Sequence, residues 1–158
     1  MATHGSSQLS NVKRSFEKWF GTNFGSTYSV DYDGVPFNFS GKSEWLQPRI
    51  LVGGQDYFHR HVDATHRGDT LSILVNVNIF VRKGINQPAD RLQRIRDVLF
   101  EKMAEGTAIN IYDYTNDGAL LTEMRSRDII TDREIISNDP EAPRQYNFSV
   151  RYNFLRKY

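Results

Sequence analysis

Two stretches of strict alternation constrain this chain more than anything else in it. From Leu71 to Val81, the residues Leu71, Ile73, Val75, Val77, Ile79 and Val81 share one side of an extended chain, and Ser72, Leu74, Asn76, Asn78 and Phe80 share the other. A period of two sustained over this length is incompatible with a helix, and it predicts a long strand with one core face and one partly wet face. Gln145–Leu155 repeats the pattern, with Tyr146, Phe148, Val150, Tyr152 and Phe154 set against Asn147, Ser149, Arg151 and Asn153. Aromatics make up 13% of the chain, and their placement on alternating positions near its end reads as packing or interface before chemistry.

The remaining elements arrange themselves around these two strands. Leu9, Val12, Phe16, Trp19 and Phe20 recur at helical spacing, so an amphipathic helix is expected to start near Ser6 or Ser7 and stop at Gly21. Thr27–Asp33 alternates Tyr28, Val30 and Tyr32 before an Asp33-Gly34 turn and reads as a short strand, followed by an extended Val35-Pro36-Phe37 piece. Glu44–Val52 reads as a strand that Pro48 makes irregular or confines to an edge. Pro88 at a first helical position, Asp90 in the first turn, Leu92, Ile95, Leu99 and Met103 on one stripe and Gly106 beyond predict a second helix. Ile109–Tyr114, Leu120–Ser126 and Asp128–Ile136 read as three further strands. The predicted class is α+β: a single domain over residues 1–158 with residues 1–6 as a loose tail. Its one mixed, mostly antiparallel sheet is flanked by two amphipathic helices and carries a long polar hairpin or loop.

Bulk properties narrow the chemistry. The 158 residues suit one domain, and 20 Lys and Arg against 19 Asp and Glu leave a net charge of +1, too balanced for a binder that relies on phosphate neutralisation. There are no cysteines, which removes disulfides, thiolate zinc sites and cysteine nucleophiles together. No apolar run is long enough to span a bilayer, and the polar Met1–Ser10 stretch lacks the apolar centre of a secretory signal. Phosphate-binding glycine loops and a Gly-x-Ser-x-Gly elbow are both missing from the sequence. Neither catalytic residues nor a cofactor are expected.

Gly53–Asp69 stands apart. It is polar, holds three of the four histidines, and reads as a loop or extended hairpin of a length that in compact domains is usually functional or disordered. His59 and His61 would share one strand face and could present two imidazoles to a metal, with Asp56 and Asp63 nearby. The plainer reading, which we adopt with no metal assigned, is a solvated and mildly basic loop touching a partner chain through Tyr57, Phe58, His59, Arg60 and His61. Arg67-Gly68-Asp69 is taken as a loop-closing turn. Arg125, Arg127 and Arg133 alternate with Glu123, Asp128, Asp132 and Glu134; such a mixed-sign strand suits a solvated or subunit-contacting face better than an RNA-facing one. Likewise, Tyr146, Phe148, Tyr152 and Phe154 could stack bases, but same-face aromatics on an alternating strand are more often core.

Taken in order, the layout resembles a known family. An N-terminal amphipathic helix is followed by Tyr32-Asp33-Gly34-Val35-Pro36-Phe37, then the tryptophan-led strand Trp45-Leu46-Gln47-Pro48-Arg49-Ile50. A polar hairpin leads into Leu71–Val81, the helix Ala89–Met103 and a closing Tyr-x-Phe-x-Val-x-Tyr strand over Tyr146–Tyr152. From Leu9 to Leu155 this is similar to the tail terminator proteins of long-tailed bacteriophages and their prophage relatives. The resemblance implies a non-enzymatic virion protein of the tail or neck, assembled in the host cytoplasm as a homo-oligomeric, hexameric ring. That ring would cap the head-proximal end of the tail tube, stop polymerisation and present a joining surface. Its implied partners are further copies of itself, the tail tube protein and a head completion or connector protein, with DNA passing through the lumen without sequence-specific binding and no membrane involved. A head-tail connector is the near alternative. A small α/β ligand- or metal-binding module using the histidine loop is the distant one.

Overall fold

The computed structural model describes residues 4–61, 67–103 and 106–157. A single 3-10 turn, Gly5–Ser7, leads into helix α1, Leu9–Phe24; strands β1, Glu44–His61, and β2, Arg67–Val81, follow. Helix α2, Pro88–Met103, precedes β3, Ala108–Asp113, β4, Ala119–Ile135, and β5, Arg144–Lys157. The strands form one sheet in the order β1-β2-β5-β4-β3, antiparallel in every ladder. The expected α+β class is what the chain adopts. A lone parallel bridge, Val30 to Leu46, lies beside the sheet.

The two alternating strands are neighbours at the sheet's centre, in register from Gly68 opposite Lys157 to Val81 opposite Arg144. Leu71, Ile73, Val75, Val77, Ile79 and Val81 are all buried, as are Phe148, Val150, Tyr152 and Phe154 beside them. Helix α2 covers this face with Leu92, Ile95, Leu99 and Met103, each buried and each contributing about 1.5–3 kcal/mol of apolar transfer. Arg91 fastens the start of the same helix to β1, donating to both carboxylate oxygens of Glu44 at 2.6 Å.

Helix α1 does not stop at Gly21. Phe16, Phe20 and Phe24 recur every fourth residue and keep one stripe buried through another turn, and the chain leaves the helix at Gly25, whose N–H bonds the Gly21 carbonyl at 2.9 Å. Gly21 serves a close approach instead, since a Cβ there would lie 2.9 Å from the Tyr32 hydroxyl. The short strand expected at 27–33 forms only the Val30 bridge. The Thr27 and Tyr28 amides are spent on the Phe24 carbonyl, and Gly34, at φ +75°, turns the chain away. The extended piece at 35–37 joins no ladder.

The two strands expected at 120–126 and 128–136 are one strand. Register shifts between Ser126 and Ile129 and between Ile129 and Thr131 break the alternation that sequence reading depends on, and β4 passes through them. Pro48 behaves as expected, because β1 is an edge strand. The polar excursion takes the hairpin form: β1 and β2 pair as far as His61 opposite Arg67.

Candidate assembly interface

An open sheet has two edges, and here they differ. On β1, Leu46 turns its backbone groups outward: its N–H bonds Ser29 O at 2.9 Å and its carbonyl accepts from Asp31 N at 2.8 Å. Strand alternation makes Pro48 the next outward position, where its missing N–H leaves nothing unsatisfied, and Arg49 Nη1 caps its carbonyl at 2.8 Å. Beyond Pro48 the outward positions are Ile50 and Val52, with no partner strand on that side among the described residues.

The far part of β1 is irregular. Asp56 pairs with Thr70 and Arg60 with Gly68, so Tyr57, Phe58 and His59 together face the single residue Asp69. These residues therefore occupy a wide bulge at the tip of an edge strand, where a ladder is re-aimed or ended. Arg60 and His61 return to paired positions, so the simple alternation that would place His59 and His61 on one face is interrupted at His59. The side chains of Tyr57, Phe58, His59, Arg60 and His61 lie outside the described residues, as does His66. Among the described residues no group of three or more His, Asp or Glu side chains could hold a metal.

The opposite edge, β3, runs alongside α1. Ser15 Oγ accepts the outward Tyr112 amide at 2.9 Å, and Asn11 Oδ1 accepts that of Tyr114 at 3.1 Å. Asn11 is buried and also donates to Gly5 O at 3.1 Å and Asp113 Oδ1 at 3.3 Å, which fixes the helix to the strand. Thr115 and Asn11 together hold the Asp113 carboxyl below the usual carboxylate range. Two residues further back, alternation turns the Asn110 and Ala108 amides outward without such a cap. They open onto a groove of about 490 Å³ between helix and strand, lined also by Ser15, Lys18, Trp19, Thr22 and Tyr112. In sequence Trp19 reads only as part of the helix's apolar stripe, and only the α1–β3 packing brings it beside Lys18 and β3 to make this groove.

The three arginines of β4 do not form one cluster, and two strands, β2 and β5, separate them from the β1 bulge. Arg125 pairs with Glu123, Nε to Oε1 at 2.8 Å, and sits opposite Asn153. Arg127 is exposed within the bulged stretch, and Arg133 is exposed opposite Asn147 near the other end. They share the face of the sheet that no helix covers. At the centre of that face is a carboxamide ladder: Asn147 Nδ2 donates to Asn76 Oδ1 at 2.6 Å and Asn78 Oδ1 at 2.8 Å. Asn78 Nδ2 in turn donates to Gln47 Oε1 at 3.2 Å, and Gln145 Nε2 donates to Asn78 Oδ1 at 3.1 Å. Two other cations on this face are paired, Arg49 with Asp31 and Arg151 with Asp128. At one corner Trp45 stacks on Phe80, with centroids 5.1 Å apart, under the Arg82 guanidinium.

Among the described residues no helix is long and apolar enough to cross a membrane. Neither a family model nor a curated protein matches the sequence. Fourteen solved chains match in fold. One of them, 14% identical, covers 94% of this chain and 96% of its own with a TM-score of 0.61, and at that identity the likeness is one of architecture alone.

Proposed function

We propose that this protein is a structural component of a bacteriophage tail, a terminator that closes into a ring on the head-proximal end of the tail tube. The observation that carries the reading is the pair of unlike sheet edges: β1, part-sealed and bearing a bulged tip, and β3, bordered by the groove against α1. A ring is built from heterologous contacts, so each subunit must offer two different patches that fit one another. A sheet with one projecting edge and one grooved edge supplies that asymmetry. The layout along the sequence, from the amphipathic helix to the closing aromatic strand, supports the same reading.

The uncovered sheet face suits the lumen side of such a ring. Its carboxamides are occupied with one another, and three of its arginines, Arg49, Arg125 and Arg151, are paired with neighbouring acids. A wall of that kind offers a passing polyanion few strong phosphate contacts, consistent with DNA moving through without sequence-specific binding. Tyr57, Phe58, His59, Arg60 and His61, with Arg125, Arg127 and Arg133, remain the positions assigned to subunit or partner contacts.

The test is a phage lacking this gene, imaged by electron microscopy. Overlong or variable tails with unjoined heads are expected. Tails of normal length that fail only at joining would instead assign the protein to the connector, and intact infectious particles would remove both roles.

A further inference from the structure

We propose that the groove between α1 and β3 takes the free edge of β1 at residues 50–52, from a second copy of this chain, as an added parallel strand. The inference rests on the ring reading and names the contact that closes it. Five antiparallel strands are an odd number, so β1 and β3 at the two edges run in the same direction. A copy related by rotation about an axis along the strands therefore brings β1 beside β3 in parallel.

Backbone alternation fits that pairing. The outward positions of β3 are Ala108 and Asn110, whose neighbours Ile109 and Ile111 are buried, so their side chains belong to the uncovered face. The outward positions of β1 continue from Leu46 and Pro48, which belong to the core face, through Ile50 to Val52, where a register shift before Gly54 ends the alternation. In a parallel ladder a residue pointing its amide across lies beside one pointing its amide away, and the two share a face. Outward residues on opposite faces are thus what a parallel joint needs for the core and open faces to stay continuous from copy to copy. An antiparallel joint between these edges would turn the neighbour's sheet over.

The groove also matches its occupant in size. One residue of added strand fills about 160 Å³, taking a 3.3 Å rise, a 4.8 Å strand spacing and a 10 Å sheet thickness. A groove of about 490 Å³ thus holds about three residues. Strand addition of this kind draws its affinity from main-chain hydrogen bonds at an exposed edge.

The chain has no cysteine, so engineered thiols report the contact without background. Leu51→Cys is mixed with Asn110→Cys, and separately with Ala108→Cys, then oxidised and run on non-reducing gels beside sedimentation analysis. A cross-linked pair is expected in one mixture, with no cross-link in any single variant alone. Asn110→Pro, which removes an outward amide at an edge that tolerates proline, is expected to abolish oligomers while the melting temperature of the subunit is unchanged. Cross-linking of Leu51→Cys with itself would overturn the proposal in favour of a two-fold β1–β1 pair. Oligomers that form without either mixed cross-link, or a chain that stays monomeric at all concentrations, would also overturn it. The ring's role in ending tails is read separately by tail length, so a cross-linked oligomer that leaves tail length unaffected would keep this contact and remove that role.

Discussion

Arg96 on α2 grips Asp132 on β4 across the intervening strand β5. Its Nε donates to Oδ1 at 2.8 Å, its Nη2 bonds Oδ2, and the Tyr146 hydroxyl donates to the same Oδ1 at 2.6 Å. The guanidinium lies over the Phe100 ring, 4.5 Å from its centroid, so one residue closes the core's flank and anchors a strand that no helix covers. The Arg96 hydrogen bond holds the Asp132 carboxyl below the usual carboxylate range. Burial, followed by the bond to Asp132, pushes the Tyr146 hydroxyl up to about 12.

Acid stability follows from this network. Because Asp132 has a lower pKa folded than unfolded, its contribution is present above about pH 4 and is lost as pH falls through the depressed folded value. Asp132→Asn is expected to cost about 0.5–1.5 kcal/mol at neutral pH, toward the low end since the paired side chains are 23% and 26% exposed. The gap between variant and parent should narrow below pH 4. Urea unfolding across pH measures it, and a gap that stays constant into acid would contradict the assignment.

Tyr146 acts at the other end of the scale. Its folded pKa is raised, so its contribution is complete below about pH 10 and declines as pH rises toward about 12. Tyr146→Phe should remove that alkaline decline, read as a flatter stability profile between pH 9 and 11 in the same unfolding assay.

Val75 tests the core. It is fully buried at the centre of β2, opposite Ile50 on one side and Val150 on the other. Val75→Asp would place an unpaired charge there and is expected to abolish soluble expression. A soluble, cooperatively folding variant would refute this placement.

Tyr152 gives the opposite kind of prediction. It is fully buried, its hydroxyl has no hydrogen-bond partner among the described residues, and burial pushes its pKa up. Tyr152→Phe deletes an unsatisfied polar atom and should be neutral or stabilising, whereas Tyr152→Ala should cost about 3–5 kcal/mol through the cavity left behind. Thermal melts of the two variants check both signs.

The β1–β2 arm tests assembly. Residues 53–69 are expected to be cut rapidly by protease in the isolated subunit and slowly in the assembled ring, with the cut sites mapped by mass spectrometry. Equal rates in both states would place the arm outside the subunit contact.

Much of the fold is written locally. The period-two runs of β2 and β5, the apolar stripes of both helices, Pro88 at a helix start and Pro48 at an edge act through the chain's own geometry, and each appears where its residues require. What only the tertiary structure decided are features that depend on a second segment. Helix α1 runs on through Gly21 because the core takes up Phe24 on the same buried stripe, and β4 runs unbroken because β5 carries its ladder past bulges that erase the alternation. The groove at β3 arises because Ser15 and Asn11, unremarkable serine and asparagine on a helix, reach the outward amides of a strand about a hundred residues later and, among the described residues, leave the next two uncapped. Strand order, and with it the odd count that makes the two edges parallel, is a property of pairing across the whole chain. Pairing is chosen by the global burial of faces, and local periodicity has no access to it.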